Sequence, residues 1–285
     1  MRQNSAVFNM RRYFAVFNIG QYLAIFKMRL ISGMQYRVAA WAGVCTQFFW
    51  GFLYIMIYTA FYQSSSTAPP MPYNQLVSYI WLQQAFLAII MLWWQDNELL
   101  SNITSGNIAY ELCRPYDLFT FWISRLLAMR LSNVLLRCLP ILLIAFILPR
   151  PYNISLPPDI GTALVFLLSL ALALVLVIAI SMFIYILTFI TLSPVGSRLI
   201  IGVAAEFLAG SVIPIPLMPK ALQSALNWLP FRYTADLPFR IYSGNIGFSD
   251  AMNGIIIQLV WITALIFAGS FAFRKIMRRV VIQGG

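Results

Sequence analysis

The chain has 285 residues, of which 61% are apolar and 9% charged, and it carries a formal net charge of +11 with no histidine. Soluble globular chains have about 45–50% apolar and about 25% charged residues. This composition, with a mean hydropathy of +0.81, therefore excludes a soluble enzyme, and the basic balance does not by itself imply nucleic acid. Without histidine there is no imidazole metal site, no Ser-His catalysis and no histidine proton relay. Cys45 and Cys138 fall in apolar stretches and Cys113 in a polar loop, which suits neither a disulfide framework nor a metal cluster. No catalytic group, metal or cofactor is expected on this chain.

The first predicted element is amphipathic. Between Arg12 and Ser32, Val16, Ile19, Leu23, Phe26 and Leu30 recur at helical spacing, opposite Asn18, Gln21, Arg29 and Ser32, with Ile25 out of pattern. This predicts an interfacial helix lying along the membrane ahead of the first span. Lys27, Arg29 and Arg37 interrupt the apolar run, unlike the core of a cleaved signal peptide. Residues 1–37 are thus read as a tail and interfacial helix, and residues 38–285 as the membrane domain.

Six apolar stretches follow, from about Val38 to Phe61, Gln75 to Trp94, Leu126 to Leu148, within Ile160–Leu192, Leu199 to Leu217 and Ile255 to Phe273. At ~20 residues each, six spans use ~120 residues and leave ~165 for everything else. The fourth is longer than a perpendicular crossing needs. In the fifth, Glu206 interrupts the run and Pro214, Pro216 and Pro219 crowd its end.

Lys and Arg set the orientation. Arg2, Arg11, Arg12, Lys27, Arg29 and Arg37 precede the first span. Arg114, Arg125, Arg198, Arg274, Lys275, Arg278 and Arg279 fall at ends on that same side, whereas residues 63–74 have none. The later segments on the other side hold only Arg150, Lys220, Arg232 and Arg240. Six spans with both termini cytoplasmic fit this pattern, and the net charge then reports topology and anionic lipid.

Two connections carry more information than short loops. Residues 95–124 hold Asp96, Glu98, Glu111 and Asp117, half of the eight acidic residues. Gly106 and Pro115 bracket a stretch able to form one or two helical turns. A helix with an apolar side and exposed carboxylates suits docking on a cytoplasmic partner; a solvated surface loop fits the same residues. On the outer side, residues 210–245 contain Gly210, Pro214, Pro216, Pro219, Pro230 and Pro238. Pro219 is placed to open a helix over Lys220–Leu229 and Pro230 to end it. Trp228, Phe231, Tyr233, Phe239 and Tyr242 make this stretch aromatic, as at a membrane interface.

On these features the whole chain resembles the permease subunit of a type-2 ABC exporter. The resemblance in the cytoplasmic loop rests on Gly106-Asn107-Ile108 and Glu111-Leu112-Cys113-Arg114-Pro115. In the outer hairpin it rests on Gly210, Pro214, Pro219, Asn227, Pro230 and Pro238. It implies an all-α integral membrane protein with an elbow helix, six spans, a coupling helix between spans two and three, and a re-entrant hairpin between spans five and six. It further implies a bacterial cytoplasmic membrane, separate cytoplasmic ATPase subunits that hold the ATP and Mg, a second permease (a second copy or a sister chain) and an exported substrate of unknown identity. Gly106, Asn107, Ile108, Glu111, Leu112, Arg114 and Pro115 would couple the chain to the ATPase. The sequence has no Gly-x-x-x-x-Gly-Lys-Ser/Thr phosphate loop, so the hydrolysis is expected in the partner.

Charges within the spans need their own account, since a central charge costs ~2.5–3.5 kcal/mol on insertion. Arg130, near the end of the third span, is expected to snorkel. Arg137 and Glu206 lie deeper, at similar depth; an intramembrane pair is expected, with substrate binding or gating and lipid-headgroup contact as the alternatives. Among the aromatic residues of the first span, Phe48 and Phe52 are one turn apart and could line a cavity. Three rivals remain: an ion-coupled secondary transporter, for which inverted repeats and further membrane carboxylates would be expected, a lipid-modifying membrane enzyme, and a non-transporting immunity or scaffold subunit.

Overall fold

The computed structural model describes residues 19–64 and 69–278, and among these the chain is all helical. Arg2, Arg11, Arg12, Arg279 and the start of the expected interfacial helix lie outside the described residues. The elements are α1 (Ile19–Met34), α2 (Arg37–Ser64), α3 (Tyr73–Ala85), α4 (Leu87–Ile90), α5 (Asn97–Ser105), α6 (Ile108–Leu112) and α7 (Leu118–Ile147). They continue with α8 (Ile160–Thr191), α9 (Pro194–Leu208), α10 (Lys220–Leu226), α11 (Asp236–Tyr242) and α12 (Phe248–Met277).

Four of these, α2, α7, α8 and α12, are long and apolar enough to cross a membrane, with 28, 30, 32 and 30 residues. At 1.5 Å per residue they reach roughly 42–48 Å, beyond the ~30 Å hydrocarbon core. The second and fifth expected spans differ. The second is broken at Phe86 (φ −105°, ψ 18°) into the 13-residue α3 and the 4-residue α4, and extended backbone at Met91 ends it. The fifth is the 15-residue α9, roughly 22 Å long. A hydropathy profile reads both as continuous because it averages over the break. What it misses is how the polar groups of the broken backbone find partners.

The packed face of α1 also differs from the expected stripe. α1 packs through Tyr22, Ile25, Phe26, Arg29 and Gly33, while Ile19 and Leu23 of the predicted stripe are exposed. Ile25, out of pattern in the sequence, is on the packed side. Successive contacts climb together: Tyr22 Oη accepts from the Asp117 amide at 3.1 Å, Arg29 and Arg125 share Glu98, and Gly33 lies against Ser132. α1 therefore runs alongside the first half of α7, in the same direction.

Capping explains several boundaries. Asp96, Asp117 and Asp159 open α5, α7 and α8 by accepting amides of the first turn, a role worth ~1 kcal/mol each. Two of the four carboxylates in the acidic loop thus serve as caps. Ser193 caps α9 and Pro194 occupies its first turn, which allows the tight reversal from α8.

The core is built on α3 and α8. Every residue from Leu76 to Ala85 is buried, and α8 buries sixteen residues, with α12 and α11 packed against it. Residues 210–245 form shorter elements than expected. Their first helix ends at Leu226, Pro214 and Pro230 each precede a 3-10 turn, and Pro219 precedes α10. Asp236, fully buried at the start of α11, accepts from Arg232 at 3.3 Å and Arg240 at 3.5 Å. Asp236→Ala should destabilise the chain by about 3 kcal/mol, because two cations lose their partner. A thermal unfolding midpoint unchanged from the parent would contradict this.

Candidate functional site

Two regions gather the polar groups that an apolar protein must account for. The first is the acidic loop of residues 95–124. Arg125, 3% exposed, donates to Asp96 at 2.6 and 2.9 Å and to Glu98 at 2.6 Å, and lies 4.0 Å from Glu111. Glu98 also accepts from Arg29 of α1 at 3.1 Å. Trp122 Nε1 donates to Glu111 at 2.8 Å, and the Asp96 amide donates to Tyr185 Oη of α8 at 2.9 Å. The Arg29 hydrogen bond, with Arg125 beside it, holds the Glu98 carboxyl below its ordinary range. Its stabilising share is then present at neutral pH and is lost as the pH falls through that lowered value.

This network ties α1, α5, α6, α7 and α8 together, and it changes the reading of the loop. Glu111 was expected to present its carboxylate outward, but it is turned in and occupied. Ile108 is buried, Leu112 half-buried, and Gly106 takes a left-handed φ of 78° with open space around it. The exposed face is instead Asn107, Tyr110, Cys113, Arg114 and Pro115, with Tyr110 75% exposed. Gly106→Ala should cost about 1 kcal/mol through its backbone alone. Increased protease cleavage near that residue would report it, and an unaltered pattern would argue against it.

The second region starts from the broken second stretch. A helix that stops inside an apolar core leaves carbonyls without partners. Arg130, expected to snorkel, is instead only 1% exposed and reaches this break. It donates to the carbonyls of Ala88, Ile89, Met91 and Trp94 at 2.9–3.2 Å and to Ser181 Oγ at 3.2 Å. A cation at a helix C-terminus also suits the helix dipole. The turn after α9 is treated alike: the carbonyls of Gly210, Ser211 and Val212 accept from Tyr79, Gln83 and Tyr58.

Between these two breaks lies a cavity of about 510 Å³. α2 supplies Gly43, Thr46, Gln47, Trp50 and Tyr54, and the end of α3 supplies Gln83 and Gln84. Leu87, Met91, Trp93 and Trp94 follow the break at Phe86, with Arg137 from α7, Glu206 from α9, and Ser211 and Val212 from the turn. Arg137 and Glu206 share this cavity but are not bonded to each other. The Arg137 guanidinium lies 4.8 Å from the Trp94 ring centroid, a cation–π contact, and occupies the space where a side chain on Gly43 would stand. Arg137 Nε and Glu206 Oε1 have no hydrogen-bond partner among the described residues, nor has either polar atom of the 3%-exposed Gln47. Phe48 and Phe52 do not line the cavity; they pack on Trp81 at 5.2 and 5.5 Å between ring centroids.

Sequence reasoning thus named Arg137 and Glu206 but missed Gln47, Trp93 and Trp94. The one signal for the tryptophans was their position at the end of a broken apolar stretch. No family model matches this chain, and no curated protein matches it significantly.

Proposed function

We propose that this chain is the membrane permease subunit of an ATP-driven bacterial exporter of the type-2 ABC class. In this reading α2, α3–α4, α7, α8, α9 and α12 make six crossings, α1 is the elbow, α5–α6 is the coupling element, and residues 210–245 form an outer re-entrant hairpin. ATP and Mg belong to separate ATPase subunits, and a second permease completes the pathway.

The observation that carries this reading is the build of the cytoplasmic loop. Transmitting force from a motor subunit requires a stiff element with one face fixed to the spans and the other free. The Arg125 network fixes one face of α5–α6 to α1, α7 and α8, and Asn107, Tyr110 and Arg114 stand on the other. Of the two polar contacts expected from Glu111 and Arg114, Glu111 is turned inward and Arg114 is exposed, with Tyr110 beside it.

The test is to purify the tagged full chain from its native membrane in mild detergent and identify what accompanies it. Recovery of an ATPase subunit, with nucleotide hydrolysis raised by reconstitution, is the expected result; a lone protein driven by a proton gradient would overturn the reading. Tyr110→Asp should cut ATPase recovery about tenfold, the loss expected for a central aromatic anchor, while leaving the unfolding midpoint unchanged. Glu111→Lys should lower recovery and midpoint together, because it places a cation beside Arg125. The carboxylate of Glu206 in the cavity is the single feature favouring an ion-coupled transporter, and gradient-driven uptake without any ATPase would decide for that alternative.

A further inference from the structure

The cavity holds one cationic and one anionic side chain that are not bonded to each other. A purely apolar occupant would leave Arg137 Nε, Glu206 Oε1 and both polar atoms of Gln47 without partners. A ligand with a single charge would satisfy one ion and leave the other uncompensated in a medium of low dielectric. Only a ligand with both signs of charge matches the set. The tryptophans add the second requirement: Trp50, Trp93 and Trp94 present flat apolar surface beside these polar groups. A volume of about 510 Å³ is that of an ordinary small-molecule site, in the ~300–1,000 Å³ range. It is too small for a folded peptide. Thr46 and Trp50 are exposed at its rim, so a long apolar tail could project outward.

We propose that this cavity binds a zwitterionic amphiphile, with its anionic group on Arg137, its cationic group on Glu206 and its apolar body against Trp50, Trp93 and Trp94. Gln47, buried and with both polar atoms free, supplies a further donor and acceptor to the polar head. The proposal deepens the transport reading by naming the class of molecule carried. Binding is measured without ATP or ATPase, so it fails or stands separately from the partner assignment. Both a phospholipid-like headgroup and a water-soluble zwitterion carry this chemistry.

The experiment uses the full chain in a nonionic detergent and follows energy transfer from tryptophan to three dansyl probes. Nε-dansyl-lysine is zwitterionic, dansyl-glycine anionic and dansyl-cadaverine cationic. The zwitterion should bind about tenfold more tightly than either other probe, the gain expected from one additional charge-assisted contact. Arg137→Gln should erase its advantage over the cationic probe, and Glu206→Gln its advantage over the anionic one. Arg137→Lys keeps the charge and should retain most of the selectivity, which separates a binding role from a folding one. Displacement by lysophosphatidylethanolamine but not phosphoethanolamine would identify a lipid-like ligand, and displacement by both a soluble one. Equal binding of the three probes, or selectivity unmoved by both neutralising variants, would show a water-filled gap and overturn the proposal.

Discussion

Replacing Arg130 by Met is expected to lower the unfolding midpoint in detergent by about 5 °C or more, the shift that ~2–3 kcal/mol produces in a chain of this size. The guanidinium serves four carbonyls and one hydroxyl at the break in the second apolar stretch. A buried acceptor left without its donor costs ~1–3 kcal/mol. Four such acceptors together cost ~4–12 kcal/mol, of which the desolvation that Met avoids returns several. Arg130→Lys should fall between, because an ammonium provides three donors from one point and cannot span carbonyls from Ala88 to Trp94. A midpoint for Arg130→Met equal to that of the parent would mean that these carbonyls find other partners.

Replacing Arg125 by Leu should be nearly as damaging, about 3 kcal/mol, because it leaves Asp96 and Glu111 largely buried without their cation. Glu98 is 57% exposed and keeps Arg29, so its share of this loss is small. A double-mutant cycle with Asp96→Leu should return a coupling of ~1–3 kcal/mol; additive effects would sink the assignment. The consequence for function is specific. With α5 released from α7 and α6 held there through Trp122, the proposed exporter reading expects ATPase recovery to fall even though Tyr110 is untouched. Dansyl-lysine binding in the cavity should persist, because none of the Arg125 partners lines it. Loss of both activities together would indicate global unfolding instead.

These two arginines mark where a linear reading stops. Arg130 and Arg137 are seven residues apart on one helix, and depth alone ranked Arg137 as the buried one. The ranking reversed because the backbone of a different segment breaks beside Arg130. Hydropathy cannot register such a break, since Leu87–Ile90 is as apolar as any span. The acidic loop shows the same limit. Its carboxylate count was read as an outward docking surface, whereas Asp96, Glu98 and Glu111 converge on Arg125 from 14 to 29 positions away in the chain. Tyr110, which does face outward, has no distinguishing neighbour in sequence.

What the sequence determined by itself was the solvent and the class. An excess of apolar residues with few charges demands burial in lipid or protein, and long runs without a breaker become helices wherever their backbone has no water to bond. The α8 helix is legible at that level, because helix length depends on neighbours along the chain, whereas the caps at Asp117 and Asp159 emerged in the structure. The tertiary structure decided what each polar group is for. It turned Arg130 to a broken helix end, Glu111 inward, and Arg137 onto Trp94 rather than onto Glu206. Such choices depend on which unsatisfied partner lies nearest in space, and in this chain those partners sit on other segments of the chain.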